Sequence, residues 1–193
     1  MSEPVTGTLR LIDLEGEARA RALPVLEAGF TGVYRWHAKR TLRKVRRVRA
    51  VELDSIVVGV SLLERLVPEV GYVYYLSVLP SHRRAGVGSL LLDDALSLFR
   101  SESIEVVYAA VPRDNRPSLA LFASRGFRLT ERKERGYREG GLGAWGLRSR
   151  MWVVSGEELL GLRIAPSSGS VAAGDPTGSR GGSKRPTDPD ETA

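Results

Sequence analysis

The sequence predicts an α/β (α+β) fold, and three observations carry that prediction. Strand-like runs rich in Val, Ile, Leu and Tyr, such as Ile56–Leu63, Gly71–Val78 and Ile104–Val111, alternate with segments of helical apolar spacing such as Gly88–Arg100. The 193 residues are 42% hydrophobic and 27% charged, a balance that supplies a buried core and is too apolar for wholesale disorder. No internal repeat is visible, and no run of 18 apolar residues suggests a membrane span.

Taken in order, Thr8–Leu14 reads as a short strand. Glu15–Gly29 has helical Ala and Leu spacing, with Pro24 as the expected break. Phe30–Val45 places Phe30, Tyr34, Ala38, Leu42 and Val45 on one helical face and Arg35, Lys39, Arg43 and Arg47 on another. Arg46–Leu53 and Ile56–Leu63 read as strands joined at Asp54-Ser55, and Gly71–Val78 as a strand ended by Pro80. In Gly88–Arg100, Leu91, Ala95, Leu98 and Phe99 point inward and Asp93 and Asp94 outward. Ile104–Val111 is the next strand, Arg116–Arg125 a short helix and Phe127–Arg132 the start of a strand. A Gly-rich connection, Gly136–Gly146, leads to a last strand expected near Arg148–Val154. Residues 1–164 form the expected domain. Residues 165–193 are mostly Gly, Ser, Pro, Thr and charge, with no aromatic residue and Val171 as the one large aliphatic, and they read as a disordered tail.

Composition narrows the chemistry. The absence of cysteine excludes a disulfide framework, Cys-ligated metal sites and a thiol nucleophile. Two histidines, His37 and His82, supply a multi-His metal site poorly, so no metal is expected. The Met-Ser-Glu-Pro start lacks the features of a signal peptide, which makes a cytoplasmic location the expectation. The net charge of +6 belongs to the first 164 residues, because the tail holds three basic and four acidic residues. Of the 29 basic residues 25 are arginine, which suits phosphate or carboxylate recognition.

The segment Leu76-Ser77-Val78-Leu79-Pro80-Ser81-His82-Arg83-Arg84-Ala85-Gly86-Val87-Gly88-Ser89 is the most informative. It lies between a strand and a helix. Gly86 and Gly88 allow close approach of backbone to a ligand, and the helix that follows offers unpaired N–H groups and a positive dipole end, an anion site strengthened by Arg83 and Arg84. It is not a P-loop, for no Lys follows Gly88, nor a dinucleotide fingerprint, for position 91 is Leu. Some thirty residues on stands a second pattern, Asn115-Arg-Pro-Ser118 through Phe122 to Gly126-Phe127.

These two patterns, in this order and spacing, resemble the signatures of the GNAT superfamily of N-acetyltransferases: Arg/Gln-x-x-Gly-x-Gly/Ala after a Val-x-Pro-like turn, then Asn, a short helix, an aromatic and Gly-Phe. The resemblance covers roughly Val51 to Arg132. It implies a mixed, splayed central sheet of about six to seven strands with helices on both faces, and acetyl-CoA as co-substrate in the opening between Gly71–Val78 and Ile104–Val111. It further implies that the backbone of Leu76, Ser77 and Val78 pairs with the pantetheine arm, that the loop Arg83, Arg84, Ala85, Gly86, Val87, Gly88 and Ser89 holds the pyrophosphate, and that Asn115 and Phe122 lie beside the thioester end. The implied reaction is direct acetyl transfer to a primary amine, with a protein N-terminus favoured over a lysine or a small molecule. A non-catalytic CoA-binding or RNA-binding module on the same fold is the alternative of another class.

Two positions depart from the family pattern. Phe122 stands where many members carry a tyrosine at the CoA sulfur, and Ala110 stands where ribosomal-protein-type members carry a glutamate; the second argues for distance from that subgroup. By the resemblance, Tyr72 and Tyr137 are the candidate catalytic residues: Tyr72 on the strand, where an amine proton is handled, and Tyr137 in the connection that closes over a substrate peptide. Tyr74 is expected on the same side of the strand as Tyr72, because side chains alternate. A phenol with its pKa near about 10 needs help to act as a base.

Between Arg35 and Arg49 there are eight basic residues and no acidic one. Three readings stay open: a solvated helix face, attraction of an acidic substrate, and contact with nucleic acid or the ribosome, for which salt-dependent affinity would be the sign.

Overall fold

The computed structural model describes residues 7–130, 150–151 and 153–165. The elements are β1 (Arg10–Asp13), α1 (Leu23–Gly29), α2 (Gly32–Lys44), β2 (Arg47–Leu53), β3 (Ile56–Val67), β4 (Val70–Val78), α3 (Val87–Ser101), β5 (Val106–Pro112), α4 (Arg116–Ala123), β6 (Arg128–Leu129) and β7 (Glu157–Arg163), with 3₁₀ turns at Gly16–Ala22 and Pro80–His82. The described strands form one seven-stranded sheet in the order β1-β2-β3-β4-β5-β7-β6. All neighbours are antiparallel except β4 and β5, which run parallel. The mixed sheet with helices on both faces is the fold that the sequence predicts. No helix among the described residues is long and apolar enough to cross a membrane.

Each local choice has a visible cause. Asp54 and Ser55 both take positive φ, 48° and 66°, the backbone of a two-residue turn whose twist matches a tight hairpin between β2 and β3. Pro24 falls in the first turn of α1, where its missing N–H costs nothing. The expected single helix over Glu15–Gly29 is therefore divided into a 3₁₀ segment and a helix that Pro24 opens. One face of the sheet is covered by α1 and α2, which bury Val25, Leu26, Ala38 and Leu42 against Val48, Ala50, Val60 and Leu62. The other face carries α3 and α4, whose Leu92, Ala95, Leu96, Phe99 and Phe122 pack on Val73, Val107, Ala109 and Val111.

The last strand corrects the sequence reading. Arg150 and Met151 are helical, and the strand lies further on, at Glu157–Arg163. This strand sits between β5 and β6, with Leu159 and Leu160 both buried. It therefore carries a run of leucines rather than an alternation. Gly161 at its centre leaves room for Tyr108 and Thr130; a Cβ there would stand 3.0 Å from each. Glycine and two glutamates disguise the segment as a loop.

Most of the basic stripe is engaged by the fold itself. Arg49 holds Asp94 through two bonds of 2.7 and 2.8 Å and Asp13 through one of 2.9 Å. Arg46 pairs with Glu102 at 2.7 Å and Lys39 with Glu27 at 2.7 Å, and Arg35 donates to the Phe30 carbonyl at 2.8 Å. Arg40 lies over the exposed ring of Trp36, 5.8 Å from its centre. These contacts favour the solvated-face reading for most of the stripe.

Candidate active site

The site begins where two parallel strands part. β4 and β5 are paired only from Val70↔Val106 to Val73↔Ala109. Directly beyond, the register of β4 against β3 slips: Leu63 faces Val73 and Leu62 faces Tyr75, so Tyr74 is an extra residue. Such a bulge bends a strand and interrupts the alternation of its side chains. From Tyr74 to Val78 the edge of β4 is no longer joined to β5, and between them opens a cavity of about 380 Å³. The bulge also decides what faces it: Tyr72, Tyr74 and Tyr75 all line the cavity. Tyr74 does share a side with Tyr72, as alternation predicts, and Tyr75 joins them against it.

The open edge of β4 leads to the loop that the sequence singles out. Gly86 caps the N-terminus of α3 with φ +81°, and Arg84 also has positive φ, +66°. A Cβ on Gly86 would meet nothing within 4 Å, so glycine serves the left-handed backbone there, not a crowded neighbour. At Gly88 a Cβ would come within 3.4 Å of Leu121. Buried Val87 anchors the helix start in the core. Arg83 turns its Nε to the Val78 carbonyl at 3.3 Å, which folds the loop back on the strand end. Leu76 lines the cavity, while the Ser77 hydroxyl donates to the Val25 carbonyl at 3.2 Å on the opposite flank. An unpaired strand edge running into a helix N-terminus fits a long ligand with an anionic end.

Asn115 and Phe122 both reach the cavity. Asn115 caps α4, its Oδ1 accepting from the Ser118 N–H at 3.2 Å, which leaves its amide NH₂ turned to other partners. Phe122 is buried edge-on against Phe127, ring centres 5.0 Å apart, so the family's tyrosine position serves packing here.

Tyr72 is placed at the cavity, but its hydroxyl is engaged. It donates to the Met151 carbonyl at 2.8 Å, and burial, followed by the charge of Glu157, pushes its pKa far above the phenol range. Both effects disfavour the phenolate and weigh against a proton-accepting role. Tyr74 likewise donates to the Arg150 carbonyl. Tyr137 lies outside the described residues.

Two acidic lining residues, Glu157 and Asp114, had no part in the sequence reading. Glu157 opens β7 opposite Pro112 of β5. It accepts from the Tyr34 hydroxyl at 3.1 Å and, through its other oxygen, from the Val154 N–H at 2.9 Å. Burial and then Glu157 raise the Tyr34 pKa to about 12. Asp114 is the second acidic lining residue, and among the described lining residues there is no Lys, Arg or His. A chain of net charge +6 thus builds a cavity of negative character. The signal for Glu157 was weak, because it precedes a strand that shows no alternation.

The comparisons with known proteins agree with this geometry. A family model described as the acetyltransferase (GNAT) family matches residues 20–127. The N-alpha-acetyltransferase RimI of Mycobacterium tuberculosis is 36% identical over 90 residues, 47% of this chain and 55% of that protein. The chain thus spans about half the length of the curated relative it matches. Among solved structures, the ribosomal-protein-S18-alanine N-acetyltransferase of Escherichia coli gives a TM-score of 0.61 at 15% identity over 82% of this chain and 95% of that one. A GNAT family acetyltransferase of Elizabethkingia anophelis with acetyl-CoA bound gives 0.61 at 13% identity over 81% and 98%. At such identities these structures speak for the fold alone.

Proposed function

Because the chain belongs to the acetyltransferase (GNAT) family of acyltransferases, we propose that it carries the acetyl group of acetyl-CoA directly to a primary amine, a protein or peptide N-terminus in the favoured case. The observation that carries the reading is the parting of β4 from β5 at Val73, with an unpaired β4 edge leading from the cavity to the Gly86 helix start. In this reading the backbone of Leu76, Ser77 and Val78 aligns the pantetheine arm. The N–H groups from Arg84 to Ser89 receive the pyrophosphate, where helix dipole and local cation favour an anion. Asn115 and Phe122 border the thioester.

Direct transfer asks little covalent chemistry of the protein. The amine must be held near the thioester carbon, its proton accepted and the oxyanion stabilised. No protein nucleophile is needed, in keeping with a chain that has no cysteine. A thiol has its pKa near about 8.5, so a thiolate leaves without a dedicated acid near neutral pH. Phe122 at the tyrosine position is compatible with turnover on that ground. The negative lining favours a cationic amine over an acidic group as the acceptor. The relative named N-alpha-acetyltransferase supports an N-terminal amine.

The test is thiol release from acetyl-CoA across a panel of peptides with free N-termini, acetyl-blocked peptides carrying lysine, and small amines, with products read by mass spectrometry. Acetylation of free N-termini is expected. Turnover confined to lysine or small amines would replace the acceptor class. Acetyl-CoA binding with no turnover of any acceptor would favour the non-catalytic module, which Phe122 alone recommends.

A further inference from the structure

Resting on that acetyl-transfer reading, we propose that Glu157 is the catalytic carboxylate that receives the proton of the attacking amine, and that Tyr34 is the residue that positions it. Two features of geometry and one of charge carry the assignment.

The first is location. The strand pairing sets Glu157 opposite Pro112, on the part of β5 that lies beyond the last residue paired with β4. Glu157 lines the cavity that opens where the two strands have separated. The second is orientation. One oxygen accepts from the Tyr34 hydroxyl on α2 and the other from the Val154 N–H in the turn before β7. Two donors engage two of the carboxylate's roughly four lone-pair directions, so the group is fixed and can still accept a proton. Asp114, the other lining carboxylate, is exposed and has no such cradle among the described contacts. The third is reach. The charge of Glu157 is felt by Tyr34, Tyr72 and Tyr75, on the α2 and β4 walls of the cavity, where burial first and Glu157 second raise each phenol. The tyrosines thereby stay protonated and leave the carboxylate as the base.

Among the described residues, Tyr34 from α2 and Tyr72 and Tyr75 from β4 interact with Glu157, and Asp114, in the turn after β5, lines the same cavity. The nearby Arg113 approaches Glu158 at 3.9 Å. In the step itself, the amine nitrogen forms the C–N bond to the thioester carbon, and the C–S electron pair leaves with the CoA thiolate. The proton shed by nitrogen passes to Glu157 and then to solvent.

The test compares Glu157→Gln and Tyr34→Phe with the unaltered full chain, using the acceptor on which that chain turns over. Titration with acetyl-CoA and thermal melting accompany the kinetics, so that a misfolded variant is recognised; Glu157→Asp is the second variant should Gln disturb the fold. Glu157→Gln should lower kcat by about 100-fold, the usual worth of a general base, and abolish the acidic limb of the kcat/KM profile while leaving acetyl-CoA affinity unchanged. Glu157→Asp should recover part of the rate. Tyr34→Phe should lower kcat less than Glu157→Gln and leave KM close to that of the unaltered chain. Unchanged kcat and pH profile in Glu157→Gln, or a rise in KM alone, would overturn the proposal. An unaltered chain that acetylates no acceptor would overturn this proposal together with the function it rests on, whereas an active chain indifferent to Glu157 overturns this one only.

Discussion

Tyr72 and Tyr74 meet edge to face, ring centroids 4.7 Å apart and planes at 89°, and each donates its hydroxyl to a carbonyl of the Arg150–Met151 segment. The pair therefore ties the chain just before β7 to the rim of the cavity. Replacing Tyr72 by Phe removes a buried donor and leaves the Met151 carbonyl without it, which should cost about 1–2 kcal/mol of stability in urea unfolding. Because that hydroxyl is held in a donating role, kcat and its pH profile should stay close to those of the unaltered enzyme. A loss approaching the about 100-fold of a missing general base would restore Tyr72 as the proton acceptor.

Gly86 is constrained by its backbone rather than by its neighbours, since φ is +81° and a Cβ would meet empty space. Gly86→Val should strain the loop by about 1–3 kcal/mol and weaken acetyl-CoA binding by about tenfold or more, at 1.4 kcal/mol per decade. Gly86→Asn, which tolerates the left-handed region, should retain much of the affinity. Isothermal titration of the three proteins decides it. Valine binding as well as glycine would remove the pyrophosphate from this helix start.

The loop around Gly86 and the Asn115–Phe127 pattern were legible because their chemistry is local: a left-handed cap and an Asn N-cap leave a mark within a few residues. The positions of the strands β2 to β5 along the chain were legible for a similar reason, as each carries β-branched runs bounded by turns. The cavity's walls were not. Tyr72-Val73-Tyr74-Tyr75 reads as simple alternation, and only pairing with Leu62 and Leu63 shows the bulge that turns Tyr74 and Tyr75 to one side. Glu157 was hidden further, since its strand is recognisable only from the neighbours that cover it. The arginine stripe left three readings open, because its partners lie elsewhere in the chain: five of its eight basic residues are engaged by acids or carbonyls distant in sequence or just before α2.

Arg49 grips Asp94 with two bonds and Asp13 with a third, and these contacts hold its guanidinium in the charged form. It links β2 to both α3 and β1. Arg49→Ala should lower stability by about 1.5–3 kcal/mol, the range for hydrogen bonds to charged groups. Arg49→Lys should recover only part, because a point charge cannot reproduce the fork. Urea denaturation at low and high salt checks both. A loss that vanishes in high salt would mark an exposed, screened pair instead.

His37 carries the pH dependence of this face. Its Nδ1 lies 2.7 Å from the Tyr75 hydroxyl and 3.3 Å from Thr41 Oγ1. Burial, and then the charge of Arg40, hold the imidazole below its ordinary value of 6.5. The folded chain therefore keeps His37 neutral at a pH where the unfolded chain already protonates it. With more protons bound in the unfolded state, stability rises with pH. It is complete above 6.5 and declines as pH falls from there toward the lower folded value. His37→Gln removes the titrating group and keeps a polar partner for Tyr75, so its loss of stability on acidification should be shallower. Urea unfolding of both proteins, from neutral pH down through the histidine range, compares the slopes. Equal slopes would show that the acid sensitivity of the fold arises elsewhere.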